Sequence, residues 1–414
     1  MDFNSLDAIE FFQDGKKHLR VYYQTTNDNT IRESSYDDAN GWFVRGNGVV
    51  AYHAKKKSPI SVTRWNDDNV TSMRVYYLDS DNKIRECRGK HTADVTTWEA
   101  STVVHVSNDP NEPKVAEGSQ LAVARPETND NSLRIFYEEK PATTNAKSVI
   151  REIKFTKARG GVYKWDVQVT KITGALASTR LSAVSAKPAG DIRLYYQAEN
   201  GALLESFWNN RNKQWNQSKA LHRNYDLVPQ APIRAVSWFT GEQKGDSELL
   251  VRIYTILKSK TNSISELSFD EDWDGDTTDT AQSLCPATQP AEYAAIATAR
   301  RINAPLDHPI TLFYHARQNV IGIEPVPVDL GEEYKNQAQK VVRPHGIPTS
   351  RLAIAPILEY LLPRQIPRLL NRLAPPGWSS HVASEARNTN WATVSDASLL
   401  TGAAAKCLQL YPPA

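Results

Sequence analysis

Residues 19–33 read LRVYYQTTNDNTIRE, and residues 73–86 repeat the pattern as MRVYYLDSDNKIRE. The motif occurs as LRVYYQ (19–24), MRVYYL (73–78), LRIFYE (133–138), IRLYYQ (192–197), VRIYTI (251–256) and ITLFYH (310–315). The second residues of these strings are Arg20, Arg74, Arg134, Arg193, Arg252 and Thr311, with separations of 54, 60, 59, 59 and 59 residues. A spacing this constant over six copies indicates a repeat architecture.

Each repeat contains the pattern of four short strands. A small-residue apolar segment precedes every motif: DAIEFF (7–12), ISVTRW (60–65), LAVARP (121–126), LSAVSA (181–186), IRAVSW (233–238) and YAAIAT (293–298). A third strand and a tryptophan follow the first five motifs, and turns rich in Asn, Asp and Gly separate the strands. The pattern predicts an all-β fold, a six-bladed β-propeller of four-stranded antiparallel blades. Stacked β-sandwiches are disfavoured, because a sandwich domain is a unit of about seven strands over roughly 100 residues, whereas the repeat here has four strands over about 59.

The last part of the chain differs in composition. We predict that residues 1–345 form the propeller and that residues 346–414, rich in Pro, Leu and Arg, form a C-terminal extension that is partly irregular or helical. Within it, SRLAIAPI (350–357) follows EYAAIATA (292–299) at about one repeat length. This segment is either a strand that closes the ring or a remnant without a partner.

Composition and charge exclude several kinds of partner. The chain carries 49 Lys+Arg against 47 Asp+Glu, a net charge of +2 that does not suggest nucleic-acid binding. No apolar run reaches the roughly 20 residues that membrane insertion requires. Three scattered cysteines and the histidines show no metal-ligand spacing, so neither a metal nor a cofactor is expected. The N-terminus lacks a signal-peptide pattern, which predicts a cytoplasmic protein or one released or displayed by a non-classical route.

The repeated arginine and glutamate are the candidate functional residues. Alternate residues of a strand share a face, so a hairpin turning near TNDN would set Arg20 directly opposite Glu33, with Cβ atoms about 5 Å apart. The same pairing is predicted for Arg74 with Glu86, Arg134 with Glu152, Arg193 with Glu205, and Arg252 with Glu266. One such pair is most simply a structural salt bridge, contributing about 0.2–1 kcal/mol. Burial of a charged pair carries a desolvation cost, and this cost would recur in five repeats beside aromatic residues. The repetition therefore favours a solvated pocket between blades instead.

The chemistry of such a pocket suits a small polyol. Arginine offers a planar fork of donors, glutamate accepts hydrogen bonds from hydroxyls, and an aromatic ring covers C–H groups. No single repeat holds a distinct acid and base of the kind a glycosidase needs, which favours non-catalytic, multivalent binding. Two alternatives remain open: a propeller glycosidase, and a protein-interaction propeller in which the charged pairs are only structural.

Residues 7–345 resemble the fungal fucose-specific lectins of the Aleuria aurantia lectin family, whose repeats have the form IRVYYQ…N.IRE…W. The resemblance implies a lectin without enzymatic activity that binds L-fucose and fucosylated glycoconjugates between blades. It also implies that arginine and glutamate hold the fucose hydroxyls, while aromatic residues contact the ring and its C6 methyl group. The implied fucose-binding residues are Arg20, Glu33, Arg74, Glu86, Arg134, Glu152, Arg193, Glu205, Arg252 and Glu266, with Trp42, Trp98, Trp165, Trp215 and Trp273 as the matching tryptophans. Family members are often dimers, so a homodimer is a further expectation.

Two repeats depart from the pattern. In the sixth, Thr311 replaces the arginine, Ile323 falls twelve residues later in the place of the glutamate, and no tryptophan follows before residue 345. We therefore predict an inactive sixth site. In the third repeat, the long loop EEKPATTNAKS is expected to reshape access to its pocket.

Overall fold

The computed structural model describes residues 5–24, 29–67, 70–92, 95–106, 113–126, 132–143, 146–157, 163–187, 190–221, 227–240, 248–258, 264–270, 272–273, 282–283, 296–299, 310–316, 320–326 and 347–348. The chain divides into two units, Met1–Leu352 and Ala353–Ala414, and every described strand belongs to the first. The domain boundary at residue 345 stays a prediction. The predicted closing strand at 350–357 lies outside the described residues.

The described strands form six antiparallel sheets, of which the first three cover the N-terminal half. Sheet 1 contains β1 (Leu6–Gln13), β2 (Lys16–Gln24), β3 (Ile31–Asp37), β4 (Gly41–Phe43) and β5 (Val49–Ala51). Sheet 2 contains β6 (Ile60–Asp67), β7 (Val70–Leu78), β8 (Ile84–Thr92), β9 (Val95–Trp98) and β10 (Thr102–Val103). Sheet 3 contains β11 (Leu121–Ala124), β12 (Leu133–Glu138), β13 (Val149–Lys157) and β14 (Tyr163–Thr173).

The remaining described strands form the other three sheets. Sheet 4 contains β15 (Ser182–Lys187), β16 (Asp191–Gln197), β17 (Leu203–Asn209) and β18 (Gln214–Ala220). Sheet 5 contains β19 (Ile233–Thr240), β20 (Glu248–Thr255), β21 (Ser265–Asp270), β22 (Asp272–Trp273) and β23 (Gln282–Ser283). Sheet 6 contains β24 (Ile296–Ala299), β25 (Ile310–Ala316), β26 (Val320–Val326) and β27 (Ile347–Pro348).

The first strands of successive sheets lie side by side around a common centre. In sequence order, β1, β6, β11, β15, β19 and β24 each contact the next, and β24 in turn contacts β1. The small residues of these strands allow this close approach. The prediction of an all-β propeller is confirmed. Within the described residues, no helix is long and apolar enough to cross a membrane.

The hydrophobic core lies between neighbouring sheets, because both faces of each sheet are covered. On one face of sheet 1, Tyr22 and Ile31 pack with Met73 and Val75 of sheet 2. On the other face, Leu19 and Val21 pack with Phe313 of sheet 6. This alternation follows from the two-residue period of a strand. Each sheet therefore has one face toward the next sheet and one toward the preceding sheet.

The outermost strand of the blades is broken or bulged near the repeated glutamate. In sheets 1, 2 and 5, two short segments replace one outer strand and pair with the same third strand. In sheets 3 and 4, the outer strand is continuous, but its register shifts between Arg151 and Ile153 and between Glu205 and Phe207. Bulges of this kind redirect side chains and loosen a sheet edge.

Candidate functional site

The register of the second and third strands differs from the sequence prediction by two residues. Glu33 lies opposite Tyr22, whereas Arg20 lies opposite Ser35. The other sheets repeat this register, with Tyr76 opposite Glu86, Phe136 opposite Glu152, Tyr195 opposite Glu205 and Tyr254 opposite Glu266. The prediction that arginine and glutamate lie directly opposite each other was therefore wrong. They are diagonal neighbours on one face, still within reach of a long arginine side chain.

All five predicted ion pairs are present among the described residues. The pairs are Arg20–Glu33, Arg74–Glu86, Arg134–Glu152, Arg193–Glu205 and Arg252–Glu266. Each lies on the face that its sheet turns toward the next sheet. We number the spaces between sheets clefts 1 to 6, cleft 1 lying between sheets 1 and 2, and cleft 6 between sheets 6 and 1. The charged pairs thus occupy clefts 1 to 5.

The five pairs have two geometries. In clefts 1, 2 and 5, the arginine Nε lies 3.6, 3.6 and 3.8 Å from a glutamate oxygen, and Nη1 donates to the carbonyl of the preceding residue. In clefts 3 and 4, Nη1 of Arg134 and Arg193 donates directly to the glutamate. Distances near 3.6 Å are too long for hydrogen bonds. In clefts 1, 2 and 5, arginine and glutamate therefore form an ion pair without a direct hydrogen bond between them.

Trp42, Trp98, Trp165 and Trp215 point away from the charged pairs of their own sheets. Trp42 lies opposite Tyr36, three residues after Glu33, and the four other tryptophans lie opposite the equivalent residues of their sheets. Because three is odd, that position is on the other face of the strand from the glutamate. The tryptophan of one sheet therefore belongs with the charged pair of the preceding sheet.

Ring contacts across the clefts support this assignment. The rings form edge-to-face pairs with centroids 5.6–6.0 Å apart, namely Tyr22–Trp98 in cleft 1, Tyr76–Trp165 in cleft 2, Phe136–Trp215 in cleft 3 and Phe313–Trp42 in cleft 6. In cleft 3, Trp215 Nε1 also donates to Glu152 at 2.9 Å. The side chain of Trp273 lies outside the described residues.

Cleft 6 differs from the other clefts, as its sequence predicts. Thr311 takes the arginine position, and Ile323 lies opposite Phe313 in the place of the glutamate. Trp42 therefore faces a cleft that lacks the charged pair. By the same arrangement, sheet 6 should supply the tryptophan of cleft 5, yet the sequence has no tryptophan between residues 274 and 377.

Sequence reasoning missed the aromatic residue two positions after each arginine. Tyr76 donates its hydroxyl to Glu86 Oε1 at 2.8 Å. Burial and the adjacent glutamate raise the pKa of Tyr22, Tyr76 and Tyr195 well above the usual value, so these hydroxyls remain proton donors. The repeated YY dipeptide was the available signal. One of its tyrosines faces the next sheet and packs against the glutamate.

A second missed feature is an aromatic ring beneath each arginine. The guanidinium carbons lie 4.2–5.5 Å from ring centroids, in the pairs Arg20–Phe11, Arg74–Trp65, Arg134–Trp208, Arg193–Phe207 and Arg252–Trp238. A cation stacked on a ring gains electrostatic attraction and loses rotational freedom. The rings therefore restrict the orientation of the guanidinium groups in the absence of a ligand.

Cleft 1 contains an open cavity at Glu33, the acid of its charged pair. The cavity has a volume of about 90 Å³, and its lining includes Glu33, Arg45, Gly48, Thr96 and Trp98. Burial raises the pKa of Glu33, an effect that Arg20 partly opposes. Ser35 donates to Glu33 Oε1 at 2.9 Å, and the Tyr22 hydroxyl and the Trp98 indole also lie close to the carboxylate, but buried Oε2 accepts no hydrogen bond of good geometry from the described residues. The cavity therefore holds an unsatisfied acceptor beside an indole ring.

Cleft 2 carries an additional cation. Arg88 Nε donates to Glu86 Oε2 at 2.6 Å, and Arg88 lies opposite Arg74 in the sheet. Glu86 therefore contacts two guanidinium groups as well as Tyr76. Among the described residues, no three His, Cys, Asp or Glu side chains cluster so as to hold a metal ion.

Comparison with known proteins identifies the repeat. The family model for fungal fucose-specific lectins matches residues 16–297, more than half of the chain. The chain belongs to this family. A curated relative, the fucose-specific lectin of Aleuria aurantia, is 25% identical over 208 residues, which cover 50% of this chain and 60% of the relative.

Solved structures of the family share the fold. The crystal structure of the Aleuria aurantia lectin, described as a six-bladed β-propeller with a novel fucose recognition mode, matches with a TM-score of 0.55 and 20% identity over 79% of this chain and 97% of that one. AofleA from Arthrobotrys oligospora matches with a TM-score of 0.59 and 17% identity over 84% of this chain and 87% of that one. At such identities, these structures support the fold alone.

Proposed function

We propose that this protein is a non-catalytic lectin that binds L-fucose on fucosylated glycans through several clefts between blades. The observation that carries the proposal is the repeated combination, in one cleft, of an arginine–glutamate pair from one sheet and a tryptophan from the next. Membership of a fucose-specific lectin family supports the choice of sugar.

The groups of cleft 1 fit the two sides of a deoxy sugar. Arg20, stacked on Phe11 and only 2% exposed, uses Nη1 for backbone carbonyls, so its Nε–H is the donor that a hydroxyl would accept from, and Glu33 Oε2 would accept from a hydroxyl. The indole of Trp98 offers an apolar face to the C–H groups and the methyl group. A bound sugar would supply the hydrogen bonds that two buried atoms, Arg20 Nε and Glu33 Oε2, lack among the described residues.

We propose four complete clefts rather than five. Clefts 1 to 3 each combine an arginine–glutamate pair with a tryptophan of the next sheet, and the sequence gives cleft 4 the same set through Trp273. Cleft 5 has the pair Arg252–Glu266 but lacks the tryptophan, and cleft 6 has Trp42 but lacks the pair. Both are expected to bind fucose weakly or not at all.

The six sheets and the contact of β1 with β24 support a closed six-bladed ring for this chain. In the third repeat, the long loop leaves the register of Phe136 with Glu152 unchanged, so it affects only the end of the hairpin. Its effect on access to cleft 3 remains a prediction, as does the homodimer.

Calorimetric titration with monosaccharides tests the function directly. We expect L-fucose to bind with a stoichiometry of about four per chain, L-galactose, with its extra hydroxyl on C6, to bind more weakly, and D-glucose not to bind. If L-fucose produces neither heat nor thermal stabilisation, the clefts are structural and the protein-interaction alternative holds. Release of free fucose from a fucosylated oligosaccharide would instead show a glycosidase.

Binding at cleft 1 is expected to weaken in mild acid. Glu33 must be ionised to accept from a hydroxyl without offering a competing proton, and burial raises its pKa above the usual glutamate value. The sugar affinity is therefore retained above the raised pKa and lost as the pH falls through it, before an ordinary glutamate is protonated. The measurement is calorimetry between pH 8 and about 4.5 on a variant in which only cleft 1 is intact.

The matched control for the pH experiment is Glu33→Gln in the same background. Glutamine keeps the shape and one acceptor oxygen, so residual binding should be weaker and flat over this pH range. An identical pH profile in both variants would show that another group governs the titration.

A further inference from the structure

A second cavity, remote from the charged pairs of the clefts, lies at one end of the central space. Its volume is about 320 Å³, and it opens where the loops leading into β6, β11, β15 and β19 converge. Its lining includes Lys55, Lys56, Lys57, Gln120, Arg180 and Gln230. Gly118 and Ser178 approach so closely there that a Cβ atom at position 118 would lie 2.0 Å from Ser178 Oγ. The cavity wall is therefore built by packed loops.

Arg180 is a partly buried cation without an acidic partner in the described part of the chain. Its Nη1 donates to Gln120 Oε1, and no carboxylate of the described residues forms an ion pair with it. Burial alone lowers the pKa of Arg180, to about 10. Guanidinium groups removed from water are normally compensated by an anion. By contrast, Arg234, which lines an adjacent cavity together with Arg180, pairs with buried Asp7.

The rim of the cavity adds further positive charge. Lys56 and Lys57 are exposed and have no ion-pair partner among the described residues, whereas Lys55 is paired with Glu117 at 2.6 Å. Glu138, the other nearby acid, accepts a hydrogen bond from the backbone N–H of Ser178. Four cations, Lys55, Lys56, Lys57 and Arg180, thus stand against two acids, Glu117 and Glu138, which leaves an excess of two positive charges around one cavity.

We propose that this cavity is an anion site that binds a phosphate or sulfate group, free or as an ester on a larger ligand. The planar fork of Arg180 suits two oxygens of a tetrahedral oxyanion, and the lysines of the rim supply further charge. A single carboxylate would balance only one of the two excess positive charges. The site shares no residue with the arginine–glutamate pairs and does not depend on fucose binding.

Calorimetric titration of the full chain with inorganic phosphate, inorganic sulfate and glucose 6-phosphate tests the site, at an ionic strength held constant with sodium chloride. We expect saturable binding that is at least about tenfold weaker in Arg180→Gln, because glutamine retains a polar contact with Gln120 but carries no charge. Tighter binding of glucose 6-phosphate than of phosphate would identify an ester as the ligand, and the reverse order a free ion.

Two further variants keep the test decisive. The exposed double substitution Lys56→Gln, Lys57→Gln leaves the core untouched and should weaken binding severalfold, whereas Lys171→Gln on an outer strand should have no effect. L-fucose titrations should be unchanged in all of them. The proposal would be overturned if phosphate or sulfate gave the same binding heat in the parent and in both cavity variants. It would also be overturned if sodium chloride alone gave that heat.

Discussion

Arg134→Ala is expected to lower the free energy of unfolding by about 3–5 kcal/mol, the range found when one partner of a buried ion pair is removed. The side chains of Arg134 and Glu152 are both 3% exposed and hydrogen-bond directly to each other. Removal of the guanidinium would leave the Glu152 carboxylate with the indole N–H of Trp215 and no compensating charge. Urea denaturation monitored by tryptophan fluorescence measures the change.

Arg74→Ala is the matched control for Arg134→Ala. The Arg74 side chain is 17% exposed, and after its loss Glu86 still accepts from Arg88 and Tyr76. Its expected cost is about 1 kcal/mol or less, while fucose binding in cleft 2 should be lost. Equal destabilisation by the two substitutions would contradict the distinction between the geometries of clefts 2 and 3. Replacement of Arg134 by Met together with Glu152 by Leu should recover most of the lost stability.

A variant with only cleft 2 intact is expected to bind a densely fucosylated surface 10²- to 10⁴-fold more weakly than the parent, on the order of the usual gain from avidity. In this variant, Met replaces the arginine and Leu the glutamate of clefts 1, 3 and 4, which avoids unpaired charges. The affinity of cleft 2 for free methyl fucoside should change by less than about twofold, because separated sites act independently. Surface plasmon resonance and calorimetry measure the two quantities.

The control for the avidity experiment is the same replacement at Arg252 and Glu266 alone. Because cleft 5 lacks its tryptophan, this variant should keep almost the full avidity of the parent. If this variant lost as much avidity as a variant with cleft 1 alone inactivated, five clefts would bind fucose. The tryptophan of a cleft would then be dispensable for binding.

The propeller was predictable because its signals are local and repeated. Strand alternation in RVYY, the Asn- and Asp-rich turns and a spacing near 59 residues all recur, and the six sheets follow them. That Arg20 and Glu33 share one face of their hairpin was also predictable. A register error of two residues leaves every side chain on its original face.

The composition of each cleft was not predictable from spacing. The tryptophan follows the glutamate by 9, 12, 13, 10 and 7 residues in the five repeats, because turns and breaks of the outer strand differ in length. Only the observed pairing of Trp42 with Tyr36 and its equivalents fixes the face. The second guanidinium at Glu86 likewise depends on the pairing of Arg88 with Arg74.

The sharing of each cleft between consecutive sheets has a consequence for how such repeats are gained and lost. Sheet 2, for example, supplies Trp98 to cleft 1 and Arg74 to cleft 2. A tandem duplication of one repeat would bring a complete new pocket, since the copy's two faces match those of its neighbours. Loss of the site residues of one repeat would instead affect two pockets. In the proposed function, Thr311 and Ile323 in the sixth repeat would leave cleft 6 without its charged pair, and the lack of a tryptophan between residues 274 and 377 would leave cleft 5 incomplete.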